Sequence, residues 1–177
     1  MNNMKNITIF AFSILLCITA INAQTPLKEY KVGHVFSVSL PDYMGKTFGL
    51  NNASVFQYKN AVKDVYGFII EDSKEELGMA ELNYTSINEF YEEFIKDFLK
   101  DEENRKISKP ETQKKGEINF IECDASYYDK DAKIEIYYLV GIVETKYAYY
   151  KVLSWAAAEN KAKFKADFQK ILYSLKD

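Results

Sequence analysis

"YYKVLSWAAAENKAKFKADFQKILYSL", Tyr149 to Leu175, passes from an aromatic and β-branched segment through three alanines into an amphipathic one. The first part reads as a strand ending at Trp155, and the second as a helix over about Glu159 to Leu175. Phe164, Phe168, Ile171, Leu172 and Leu175 form one stripe of that helix, with Lys161, Lys163, Lys165, Asp167 and Lys170 elsewhere. Such a stripe must be buried, so the segment predicts a helix laid on a sheet. Trp155, the only tryptophan, stands where strand gives way to helix and reads as a large ring sealing the core at that turn. Exposure at a groove mouth, against a ligand or partner, is the competing reading.

Working back along the chain, two further strands precede this one, over Glu117 to Tyr128 and Lys133 to Glu144. The links "DKDA" and "TK" are short enough to force antiparallel hairpins. In the middle strand both alternating sets are apolar: Ile134, Ile136, Tyr138, Val140 and Ile142 on one face, Tyr137, Leu139 and Val143 on the other. A strand of that kind is covered on both sides.

A second helix is available for the other face. Ile87, Phe90, Tyr91, Phe94, Phe98 and Leu99 fall at i, i+3, i+4, i+7, i+11 and i+12, and Ser86 to Glu89 fits a capping box. The expected fold class is α+β, an antiparallel sheet covered by helices on both faces in a three-layer α/β/α sandwich. Upstream, Val35 to Pro41, Val55 to Lys59 and Val65 to Glu71 read as strands, with a short leader at Thr25 to Gly33 that adds an edge strand. "KDEENRK", Lys100 to Lys106, reads as a solvated helix end of mixed charge, and "SKPETQKKG" after it as a connection.

Residues 1–23 read as a signal peptide: Lys5 gives the positive start, Ile7 to Ile18 the apolar run, and Ile21-Asn22-Ala23 the cleavage site. The run is too short to span a bilayer, and Leu16 before Cys17 does not suit a lipobox. Residues 24–177 are then expected to form one domain. Losing Lys5 makes the formal charge of −3 one unit more negative, and the basic residues are scattered, so nucleic acid is not an expected partner. Cys123 is left without a partner for a disulfide.

The order of elements, from "FSVSLP" through a hairpin, a helix and a long meander to the strand and helix closing on "ILYSL", resembles the Mog1/PsbP-like superfamily and its secreted bacterial members. Ser174 and Leu175 stand in the places of the family's habitual ending. The resemblance implies an antiparallel sheet flanked by helices, acting as an extrinsic, assembly or adaptor module with no catalytic set. Some members bind a small GTPase and others dock on photosynthetic complexes, and nothing in these residues points to either partner.

The chemical inventory is thin. His34, the only histidine, lies in a glycine-preceded turn, and Cys123 alternates with Ile121 and Ala125 as a small buried hydrophobe would. The pairs Glu71-Asp72, Glu75-Glu76 and Glu92-Glu93 are adjacent, so their side chains diverge. Asp129-Lys130-Asp131 suits a hairpin turn better than a calcium loop. The glycines form no phosphate loop, and the sequons at Asn52 and Asn83 matter only in a eukaryotic secretory route.

No catalytic, cofactor-binding or metal residue is assigned, and no cofactor or enzymatic activity is expected. The function expected is a secreted or periplasmic non-catalytic binding and assembly module of the cell envelope, with a protein partner. The alternative is a carrier of a small apolar or aromatic ligand in a cleft between the sheet and the Phe90/Phe94 helix. Tyrosines at 127, 128, 137, 138, 147, 149 and 150 are either packed under the helices or exposed in a binding cluster.

Overall fold

The computed structural model describes residues 25–33 and 35–177. The signal-peptide reading of residues 1–23 and the turn reading of His34 lie outside the described residues. Two antiparallel strands, β1 (Leu27–Val32) and β2 (Phe36–Pro41), form a ribbon of their own. The main sheet is built from β3 (Gly45–Lys46), β4 (Phe56–Asn60), β5 (Val65–Ser73), β6 (Glu103–Ile107), β7 (Glu111–Lys115), β8 (Ile118–Asp129), β9 (Ile134–Glu144) and β10 (Ala148–Ala157). Its order is β3-β4-β5-β10-β9-β8-β6, with β7 also paired to β8. Helix α1 (Lys74–Met79) follows β5 directly, α2 (Ile87–Asp97) precedes β6, and α3 (Lys161–Tyr173) follows β10 after a single 3₁₀ turn.

The alternation in β9 divides the interior. Tyr137, Leu139 and Val143 share a core with β2 and with Phe164, Phe168, Ile171 and Leu172 of α3. Val140 and Ile142 share another with Ile87, Phe90, Tyr91 and Ile95 of α2. Helix α3 approaches β9 so closely that a Cβ at Gly141 would run into Leu172. Glycine is there for space rather than for its backbone freedom.

The closing signature has a physical role. Ser174 Oγ accepts from the Ser39 N–H at 2.8 Å and donates to the Ile171 carbonyl at 2.7 Å, while Leu175 is buried. Lys176 then pairs with Ser37 through both backbone bonds, so β2 is hydrogen-bonded along its second side as well. Asp167, expected on the outer face of the helix, is buried, accepting from Tyr43 Oη at 2.9 Å and Thr25 Oγ1 at 3.2 Å.

Three local readings need correction. Ser86 Oγ accepts from the Glu89 N–H at 3.3 Å, but Glu89 reaches back one residue further than a capping box requires, to the N–H and hydroxyl of Thr85 at 2.7 and 2.8 Å. Helix α2 stops at Asp97, with Leu99 at φ 58°, and the supposed solvated helix end becomes β6. Arg105 turns back from that strand to donate to the carbonyls of Phe98 and Ile95, occupying acceptors that the helix end leaves open. The supposed connection contains β7, whose five residues are all exposed.

Candidate functional site

Helix α2 lies over the sheet face presented by Ile121, Cys123, Val140, Ile142, Tyr149 and Leu153. Phe90 stacks on Tyr149 with centroids 4.4 Å apart and planes at 8°, and Tyr84 packs edge-on against both rings. Lys151 bridges the same layer, its ammonium 5.3 Å from the Phe90 ring and 2.8 Å from Asp72 Oδ2. These rings pack the layer between α2 and the sheet at this point.

Beyond the end of α2 the same face carries a row of aromatic side chains across adjacent strands. Trp155 on β10 stands directly opposite Tyr66 on β5 and Tyr138 on β9. Its ring stacks on Tyr66 at 5.5 Å and 21°, and on Tyr138 at 5.5 Å and 27°. Tyr127 on β8 continues the row 6.3 Å from Tyr138. Because β5 and β9 flank β10 on opposite sides, a tyrosine stacks on each face of the half-buried indole.

Phe68 closes on Trp155 edge-on at 5.7 Å, and Phe98, just past α2, closes on Tyr138 at 5.4 Å. Further out lie Ile136, opposite Tyr127, and Ile134, which is 38% exposed. All of the rings in the row remain half-buried. The placement corrects the expectation for Trp155: Ser154 and Ala156 face the α3 core, so strand alternation turns the indole to the opposite face.

Carboxylates cluster at the Tyr127 end of the row, and a single one, Asp64, stands at the Tyr66 end, where Lys59 is the cross-strand neighbour. Asp64 accepts from Tyr66 Oη at 2.8 Å, and this bond, more than burial, raises the phenol pKa. At the other end, burial raises both Tyr127 and Tyr138; Asp129 and then Glu102 add to it at Tyr127, while at Tyr138 the neighbouring Tyr127 precedes Glu102 and Asp129. Asp101, Glu102, Glu103, Asp129 and Asp131 line a cleft of about 280 Å³ with Tyr127 and one cation, Lys130, which is paired to Glu103 at 2.8 Å. Asp129 also accepts from the N–H groups of Asp131 and Ala132, the hairpin turn expected for this stretch.

Among the other candidates, burial first and then the charges of Glu76, Asp177 and Asp72 raise the Glu71 carboxyl. Cys123 is buried, and burial pushes its thiol pKa up, away from the thiolate a nucleophile needs. Asp72 is engaged by Lys151, while Glu92 and Glu93 line an open cleft of about 730 Å³ with Glu81, Glu89, Tyr84 and Lys96. Of the tyrosines, Tyr137, Tyr149 and Tyr150 are buried and Tyr147 is 63% exposed. Among the described residues no group of three or more metal-ligating side chains is assembled, and no helix is long and apolar enough to cross a membrane.

A polar seam between α3 and β8 escaped the sequence reading. Asp124 takes Lys161 and Lys165 at 2.8 Å each and the Tyr137 hydroxyl at 2.8 Å. Burial alone would raise its carboxyl, but these three donors hold it below the ordinary range. One turn along, Gln169 donates to the buried Glu122 at 2.7 Å. The signal was the i, i+4 series Lys161, Lys165, Gln169, Tyr173, which marks a helix face without naming its counterpart.

No family model and no curated protein matches the chain. Solved structures do. The cyanobacterial PsbP, CyanoP, from Synechocystis aligns over 92% of this chain and 98% of its own, with a TM-score of 0.60 at 10% identity. LpqN of Mycobacterium tuberculosis, described as involved in cell envelope biogenesis, aligns over 84% and 90%, with a TM-score of 0.55 at 11% identity. The chain therefore has the PsbP-like fold, an α+β architecture dominated by antiparallel sheet.

Proposed function

We propose that the protein is a secreted or periplasmic, non-catalytic binding and assembly module of the cell envelope, its mature form a single domain beginning at Gln24. In this reading α2 and α3 cover opposite faces of the sheet as a three-layer sandwich, and α2 is too short to cover its face completely. The observation that carries the reading is the uncovered end of that face, where Tyr66, Trp155, Tyr138 and Tyr127 stay half-buried beside Ile136 and Ile134. Contiguous aromatic and aliphatic surface of this kind is what a protein partner buries. The envelope role described for LpqN supports the setting.

Native mass spectrometry of the protein recovered gently from its own host tests the reading. The expected result is a non-covalent protein complex that Ile134→Lys or Ile136→Lys dissociates, with a denatured mass beginning at Gln24. A complex indifferent to both substitutions would place the interface elsewhere and overturn the assignment of this face.

A further inference from the structure

Resting on that docking reading, we propose that the partner element received by the aromatic face is a basic segment, whose arginine or lysine side chains lie along the ring row and reach its acidic rim. The rings themselves limit what fits. Trp155 has a tyrosine on each face, so an incoming aromatic ring has no open indole face to stack on. The row instead offers ring edges, hydroxyls and the aliphatic surface of Ile134 and Ile136. Long side chains with apolar stems and charged heads are the groups that use such a surface.

The charges select the sign. In the cleft beside Tyr127, five carboxylates, Asp101, Glu102, Glu103, Asp129 and Asp131, face the single cation Lys130, and Glu103 already holds it. Glu102 and Asp129 are near enough to Tyr127 and Tyr138 to act on both phenols. Asp64 marks the opposite end of the row at Tyr66, with Lys59 as the cation on the neighbouring strand. Crowded like charge next to apolar surface repels acidic partners and gains most from a cationic one. Guanidinium groups suit carboxylates especially well, because they bind them through paired N–H donors.

Trp155 makes the test direct, because the only tryptophan in the chain sits in the proposed site. The probes are a short synthetic peptide alternating arginine and leucine, and the same peptide with glutamate in place of arginine, each titrated against the protein while Trp155 emission is followed. The arginine peptide is expected to give a saturable, salt-weakened change, and the glutamate peptide none. Combining Glu102→Gln with Asp129→Asn should weaken the arginine peptide about tenfold or more, whereas Glu92→Gln with Glu93→Gln, on the separate acidic cleft, should leave it unchanged. No saturable response, equal affinity in the Glu102/Asp129 variant, or equal loss in the Glu92/Glu93 variant would each overturn the proposal. If the native complex dissociates with Ile134→Lys but survives neutralisation of Glu102 and Asp129, the docking face stands and the basic partner falls.

Discussion

Trp155 of β10 and Tyr66 of β5 are cross-strand partners whose rings stack at 5.5 Å and 21°, while Tyr138 covers the other side of the indole. The tryptophan is therefore a structural member of the face it helps to present. Trp155→Ala should remove both stacks and destabilise the fold by about 2 kcal/mol, less than a fully buried tryptophan would cost because the ring is half-exposed. Trp155→Phe should recover most of that loss. Urea denaturation midpoints check both, and an unchanged midpoint for the alanine variant would mean that the stack contributes nothing.

Asp124 gives the sheet a titratable anchor for α3. Its carboxyl is held low by Lys161, Lys165 and Tyr137, so its contribution is fully present above the unfolded aspartate value of about 3.9 and is lost as pH falls through the folded value. The stability gap between the wild type and Asp124→Asn should therefore be flat from neutral pH to about pH 5 and narrow below about pH 4. Thermal melts across that range decide it, and a gap that widens on acidification would contradict the ion cluster.

Gly141 lets α3 seat Leu172 against the backbone of β9. Gly141→Ala is expected to cost about 1 to 3 kcal/mol through overpacking. Adding Leu172→Ala should make the double variant more stable than the sum of the two single losses predicts, because the clash has been removed. Strict additivity in a double-mutant cycle would count against the close approach.

Cys123 lies beneath α2 with its thiol both buried and raised in pKa. Labelling by a thiol reagent should be slow in the folded protein and become fast in denaturant. Fast labelling under native conditions would show that the α2 layer opens readily.

How much of this was legible depended on where each element buries its side chains. The α2 stripe and its Ser86 cap, and the meander from β8 to β10, announced themselves because their apolar positions recur at the right period. Strand β7 did not, because "ETQKK" is exposed at every position and so carries no alternation. Strand β6 was hidden in a charged run whose Arg105 serves the preceding helix end rather than solvent. The polar seam was unreadable for another reason, since Lys165 and Asp124 are separated by 41 residues and meet only once α3 is laid down. The tyrosine clusters were visible in the sequence. Which of them remain uncovered was not, because that depends on α2 ending at Asp97 rather than running on over the sheet.

The bonds that Ser174 and Lys176 make to β2 have a consequence in time. Ser39 and Ser174 stand 135 residues apart, so strand β2 gains its second bonded edge only after the whole of the main sheet and α3 have been made. A nascent chain that has reached α3 but not residue 174 can already pack β2 on that helix and bond Thr25 and Tyr43 to Asp167, but it lacks the bonds that Ser174 and Lys176 make to β2. The last bonds to β2 therefore form only once α3 is in place, so this strand is the part of the sheet region whose hydrogen bonding waits longest on the rest of the chain.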